Sequence, residues 1–163
     1  MKTYLGGKTS IDHIAIAVVD LEQALFLYEN VFGFELIARR QIEGDFSGMK
    51  SAELSAGGFS IVLVQGTSPE SQVCRYIAQY GPGVQHIAIA VNDVQAVTDT
   101  LKASGMNFAT SVIRGEGLVQ VFTRRDANCG MMFEFIERKS HPEGFDPANI
   151  QQLFNQLEAS NMF

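Results

Sequence analysis

The stretch HIAIAV occupies residues 13–18 and recurs at residues 86–91. Six identical residues, each copy headed by a histidine, mark an internal repeat, and a repeat governs the architecture before any single element does. The copies start at His13 and His86, an offset of 73. The same offset pairs Asp20 with Asp93 and Leu21 with Val94. A helical pattern follows in both copies. Leu21, Leu25, Tyr28 and Phe32 carry it in the first; Val94, Val97 and Leu101 carry it in the second. Asp20 and Asp93 stand as N-caps, and Gly33 and Gly105 stand where a left-handed C-cap is expected. Those glycines are 72 apart, so the second copy has lost one residue.

Three strands are expected after each helix: 34–43, 48–55 and 59–65, then 107–113, 117–124 and 130–138. Gly57-Gly58 and Asn128-Cys129-Gly130 punctuate the last hairpin of each set. The chain therefore reads as two strand–helix–three-strand (βαβββ) modules in pseudo-twofold repeat, spanning about 10–66 and 83–139. A linker helix at about 69–82 presents Val73, Tyr76, Ile77 and Tyr80 on one side. A C-terminal helix at about 147–160 presents Ile150, Leu153, Phe154 and Leu157. A four-stranded module with one helix cannot close a core alone. The expected fold is thus one α+β domain over residues 1–163, a curved half-barrel of mixed sheet around a central site.

Composition narrows the function. The chain has 163 residues, is 46% hydrophobic and 18% charged, and carries a net charge of −6. An acidic surface without a Lys/Arg run argues against nucleic acid and anionic membrane as partners. No apolar run approaches the ~18 residues of a membrane span, and the start lacks a signal-peptide core. A cytoplasmic protein is expected. Cys74 and Cys129 have no metal-binding spacing and read as unpaired thiols.

Strand alternation places His13 on one face with Ile11, Ala15 and Ala17, and His86 with Val84, Ala88 and Ala90. The opposite faces, Ile14, Ile16 and Val18 or Ile87, Ile89 and Val91, suit packing under a helix. A single strand histidine is usually a hydrogen-bonded core residue. Two at equivalent places of a repeat, each beside two alanines, line a shared space, which is what a metal site needs. Glu134, among Met132, Phe133, Phe135 and Ile136, is the expected third donor, with a salt bridge to an Arg or Lys as the competing reading, because a buried carboxylate must be paired or bound to a cation. Glu137, near the strand end, and His141, in the following turn, read as solvated. The counterpart of Glu134 at the offset of 72 is Val62, which cannot coordinate. Two imidazoles and one carboxylate with open positions suit non-haem Fe(II); Zn(II) is the competitor.

The opening IDHIAIAVVDLEQALFLYENVFGFEL resembles the first module of the vicinal oxygen chelate superfamily. The segments SQVCRYIAQYGPGVQHIAIAVNDV, GLVQVFTRR, MMFEFIERKS and GFDPANIQQLFNQLE, in this order, resemble the catalytic C-terminal domain of the 4-hydroxyphenylpyruvate dioxygenase and hydroxymandelate synthase family. The resemblance covers about 10 to 160. It implies Fe(II) held by His13, His86 and Glu134, and O₂-dependent decarboxylation and hydroxylation of an arylpyruvate-type 2-oxo acid. It implies that Gln120 is the catalytic glutamine beside the keto acid and that Phe122 stacks near the ring. Phe145, Ile150 and Phe154 fall where the family closes its pocket. Two departures touch the substrate side. Lys50 replaces the asparagine of the family's SGLNS segment, as a cation that could pair with a carboxylate or simply lie in solvent. Val64-Gln65-Gly66-Thr67 replaces its INEP segment. The family's enzymes also carry a further N-terminal domain that this sequence does not show, and a homodimer is expected to cover the face so left. Two other classes compete: a non-redox metal isomerase or lyase of the glyoxalase or methylmalonyl-CoA epimerase type, and a metal-free small-molecule-binding resistance protein.

Overall fold

The computed structural model describes residues 5, 9–44, 46–139, 147–160 and 162. The first module comprises β1 (Ser10–Ala17), α1 (Leu21–Leu25), β2 (Glu35–Glu43), β3 (Gly48–Ser55) and β4 (Ser60–Gly66). After the linker helix α2 (Gln72–Tyr80), the second comprises β5 (Gly83–Ala90), α3 (Val94–Ala103), β6 (Ile113–Arg114), β7 (Leu118–Phe122) and β8 (Met132–Arg138). Helix α4 (Pro147–Ala159) follows. The strands form one mixed sheet in the order β2-β3-β4-β1-β5-β8-β7-β6. β1 pairs antiparallel with β5 at the centre, and each pairs parallel with the last strand of its own module, β4 or β8. The two-module curved α+β sheet expected from the repeat is the observed fold.

The repeat extends to how each helix is started. Asp20 Oδ1 accepts from the amides of Glu22 and Gln23, and Asp93 Oδ1 from Ala96. A residue at the end of each parallel strand completes the cap: Gln65 Oε1 accepts from Leu21 N at 2.9 Å, and Glu137 Oε2 from Val94 N at 3.1 Å. These two positions are 72 apart. Glu137 is thus a partly buried helix cap rather than a solvated strand end. His141 lies outside the described residues.

One sheet face is covered by α1 and α3. Leu21 and Leu25 pack with Ala52, Leu54, Ile61 and Leu63, with Ile14 and Ile16 alongside; Val94 and Val97 pack with Val119, Val121 and Phe135. The other face carries the histidines. It is covered at one end by α2, where Val73 and Tyr76 meet Ala17 and Val64. At the other end α4 crosses it, with Phe154 against Ile42 and Leu157 against Phe122 and Met132. Among the described residues no helix is long and apolar enough to cross a membrane.

Two expectations fail locally. The first helix does not keep its α register to Phe32. From Phe26 to Val31 it runs as a π-helical turn, with Phe32 N donating to Leu27 O. The wider turn swings Phe32 to 55% exposure, where its ring stacks with Tyr28 and Phe34 instead of entering the core. The strand expected at 107–113 shrinks to Ile113–Arg114 and one bridge, Phe108 to Thr123. Between them the Thr110 hydroxyl accepts from Phe122 N at 3.0 Å, taking the place of a ladder carbonyl.

Candidate metal centre

Register explains why three side chains from distant segments meet. In the β1–β5 ladder His13 stands opposite Ala88, and His86 opposite Ala15. Ala88 stands opposite Glu134 in β8, so His13 and Glu134 flank one alanine across three strands. Ala88 has only a methyl group and is fully buried, so the longer side chains reach over it toward each other. His13 Nε2 lies 3.3 Å from His86 Nε2 and 3.1 Å from Glu134 Oε2; His86 Nε2 lies 3.6 Å from the same oxygen. His13 and Glu134 are 2% and 1% exposed.

The second half of the repeat builds the same frame with a different corner. Val62 stands opposite Ala15, which stands opposite His86. Val62 thus faces His86 across an alanine as Glu134 faces His13. The fourth corner of the pseudo-twofold site is a hydrocarbon side chain.

Each imidazole is oriented from behind. His13 Nδ1 lies 2.9 Å from Asp12 Oδ1, and His86 Nδ1 lies 3.1 Å from Gln85 Oε1. Both oxygens only accept, so in each neutral ring Nδ1 carries the proton and Nε2 presents the lone pair. Two nitrogen lone pairs and a carboxylate oxygen therefore converge within 3.1–3.6 Å. The second oxygen, Glu134 Oε1, is buried with no hydrogen-bond partner among the described residues. A buried cluster of acceptors with an orphaned carboxylate oxygen calls for a cation. The donor set, N₂O, and the facing of all three atoms into one space fit a divalent transition metal.

The electrostatics agree. Burial pushes His13 down, but the Glu134 and Asp12 carboxylates outweigh it and raise His13 to about 9. Burial, then the charge on His13 and that on Arg125, hold His86 well below its ordinary value. Without a metal the site therefore takes up one positive charge, as a proton on His13, and resists a second.

The other expected site residues fall differently. Phe122 is buried, neighbours Glu134 in the β7–β8 ladder, and sets its ring 5.0 Å from His86 at 82°. Gln120 is buried on the same strand face, its Nε2 3.4 Å from the Asn149 carbonyl of α4. Ile150 and Phe154 are buried on α4 with Ile42 and Met49, over the β2–β3 side of the same face. Phe145 lies outside the described residues. Lys50 is not brought to this face. It alternates with Met49 and Ser51, shares the parity of the helix-packed Ala52 and Leu54, and is exposed. The sequence reading missed Asp12, Gln85 and Arg138 behind the ligands. It also missed Glu53, buried beside Val62 and paired at 3.0 Å with Arg40. A carboxylate between the apolar Ala52 and Leu54 was the available signal for Glu53.

The family model for the Glyoxalase/Bleomycin resistance protein/Dioxygenase superfamily matches residues 10–135. Among curated proteins the chain is 28% identical to a Vibrio vulnificus hemolysin, VllY, over 93% of this chain and 52% of that one. It is 27% identical to a 4-hydroxyphenylpyruvate dioxygenase of Legionella pneumophila over 93% and 54% of the two chains. It is 31% identical to the Arabidopsis thaliana lactoylglutathione lyase GLX1 over 82% and 46%. The chain thus spans about half the length of these relatives. Among solved structures, a variant of 4-hydroxymandelate synthase from Streptomyces coelicolor superposes with a TM-score of 0.84 at 23% identity, covering 94% of this chain and 55% of that one. At that identity the likeness speaks for the fold alone.

Proposed function

We propose that this chain, which belongs to the Glyoxalase/Bleomycin resistance protein/Dioxygenase superfamily, is a non-haem Fe(II)-dependent dioxygenase acting on an arylpyruvate-type 2-oxo acid. The observation that carries this reading is Val62 at the fourth corner. His13, His86 and Glu134 would hold the metal through three protein atoms, and the hydrocarbon side chain of Val62 would add no fourth, so the centre would suit a metal that also serves a chelating keto acid and O₂. The bound metal supplies electrophilic activation and brings the two reactants together. The keto acid loses its carboxylate as CO₂; one atom of O₂ enters the new carboxylate and the other enters the hydroxylated product. No further reductant is needed.

The chain's own residues divide the remaining work. Gln120 donates its amide N–H to the keto acid, exchanging its long contact with the Asn149 carbonyl. Phe122 presents an apolar wall beside His86. Helix α4, with Ile150 and Phe154, keeps water from the reacting face. Similarity to a dioxygenase over 93% of the chain supports this assignment. A cytoplasmic location and a homodimeric state belong to the same reading.

Similarity to the lactoylglutathione lyase favours a second reading, a non-redox metal isomerase or lyase. Such chemistry is served by a fourth protein ligand, and Val62 withholds one. The test is anaerobic Fe(II) loading followed by a screen of 2-oxo acids in an oxygen electrode. The reading predicts one O₂ consumed per CO₂ released with an arylpyruvate. Isomerisation of a thiohemiacetal or an acyl thioester without O₂ uptake would establish the second reading instead.

A further inference from the structure

The residue just before each histidine is aimed by a backbone irregularity that the repeat has kept twice. In the β1–β5 ladder Ile11 pairs with Ile89 and His13 with Ala88, so Asp12 is skipped. Further along, Ala15 pairs with His86 and Ile16 with Val84, so Gln85 is skipped. Asp12 and Gln85 are 73 apart and hold equivalent places. In a regular strand each would point away from its histidine neighbour. The bulges re-aim both side chains, and each oxygen meets the Nδ1–H of the adjacent imidazole. The geometry has been duplicated, but the chemistry has not. Gln85 offers a neutral amide oxygen. Asp12 offers a carboxylate that Arg138 holds from two nitrogens, Nε to Oδ2 at 2.7 Å and Nη2 to Oδ1 at 2.8 Å. Arg138 lies on β8, four residues beyond Glu134, and reaches past β5 to do so. One chain of contacts therefore joins the strand that carries the carboxylate ligand to the back of the first imidazole.

We propose that Asp12, clamped by Arg138, is a positioning residue that fixes the tautomer and aim of His13 and makes it the dominant nitrogen donor, while Gln85 gives His86 weaker support. The inference rests on the metal reading above. A carboxylate behind an imidazole raises its basicity as well as holding its ring, and loss of such a partner weakens metal binding about 10–100-fold.

The test uses Co(II) as the probe metal, with three readouts: its dissociation constant taken to the high-pH limit, where His13 carries no proton on Nε2, its visible spectrum, and the ¹⁵N shifts of the two neutral imidazoles in the metal-free protein at that same high pH. Asp12→Asn is expected to weaken Co(II) binding at least tenfold, and Gln85→Met less than about fivefold. Asp12→Ala is expected to release His13 from its single tautomer, a change that a merely structural role would not cause. Arg138→Met, which leaves the carboxylate in place, is expected to fall between wild type and Asp12→Asn; it keeps the test open if the Asp12 variants fold poorly. Co(II) affinities within twofold of wild type for both Asp12→Asn and Arg138→Met would overturn the proposal while leaving the metal site standing. A wild-type protein that takes up no Co(II), Fe(II) or Zn(II) would remove the metal reading and this inference together.

Discussion

Metal uptake at this centre should expel one proton, and that proton should come from His13. In the metal-free protein the Glu134 and Asp12 carboxylates raise His13 to about 9 against the opposing effect of burial. At pH 7 only about one molecule in a hundred then has His13 ready to donate its Nε2 lone pair. Metal binding at pH 7 is therefore about 100-fold weaker than its limit at high pH, a cost of about 3 kcal/mol. His86, held well below its ordinary value, has no proton to give in this range. Affinity for Zn(II) or Co(II) should rise about tenfold per pH unit between pH 6.5 and 8.5 and level off above 9. Isothermal titration at pH 7 in two buffers of different ionisation enthalpy should count close to one proton released per metal. The same shift has the opposite sign for the metal-free fold. A histidine raised on folding stabilises fully below its unfolded value of 6.5 and loses that contribution as pH rises through 9. Below 6.5 the reluctance of His86 to accept a proton costs stability in turn. Metal-free stability should thus peak near pH 6.5 to 7. A count of zero or two protons, or an affinity flat across this range, would refute the electrostatic account of the site.

Substituting His13→Ala, His86→Ala or Glu134→Ala should abolish stoichiometric metal binding, measured by elemental analysis after dialysis; full retention in any one would contradict its assignment. Glu134→Gln removes the leading upward influence on His13 and should lower its titration in metal-free protein, followed by NMR. Val62→Gln supplies the missing fourth donor and should keep or tighten metal binding while cutting O₂ uptake at least tenfold, read in the oxygen electrode. Gly44→Ala would set a methyl group 2.5 Å from the Phe154 ring and should displace α4, lowering thermal stability by about 1–3 kcal/mol with little change in metal affinity.

The repeat made most of this molecule legible. Alternation along HIAIAV put each histidine with two alanines, and the register shows why those alanines matter: Ala15 and Ala88 are the low points over which the ligands meet. The offset of 72 located both Glu134 and its silent counterpart Val62, since no residue is lost between the helix ends and the last strands. What escaped the sequence depended on places where the period breaks. The bulges at Asp12 and Gln85 cannot be read from residue types, because strict alternation turns both side chains away from the histidines. The π-helical turn carried Phe32 off its expected face, and a threonine hydroxyl replaced part of the β6 ladder. Lys50 shows the reverse error. Matching a motif position by position proposed it for the site, whereas counting the faces of β3 from Leu54 already puts it on the helix side.

The most direct measurement is anomalous diffraction from crystals grown anaerobically with Fe(II). The account predicts one iron peak per chain, about 2.0–2.2 Å from His13 Nε2, His86 Nε2 and a Glu134 oxygen, with no protein atom bound on the Val62 side. A peak elsewhere, or a fourth protein ligand closing that side, would contradict it.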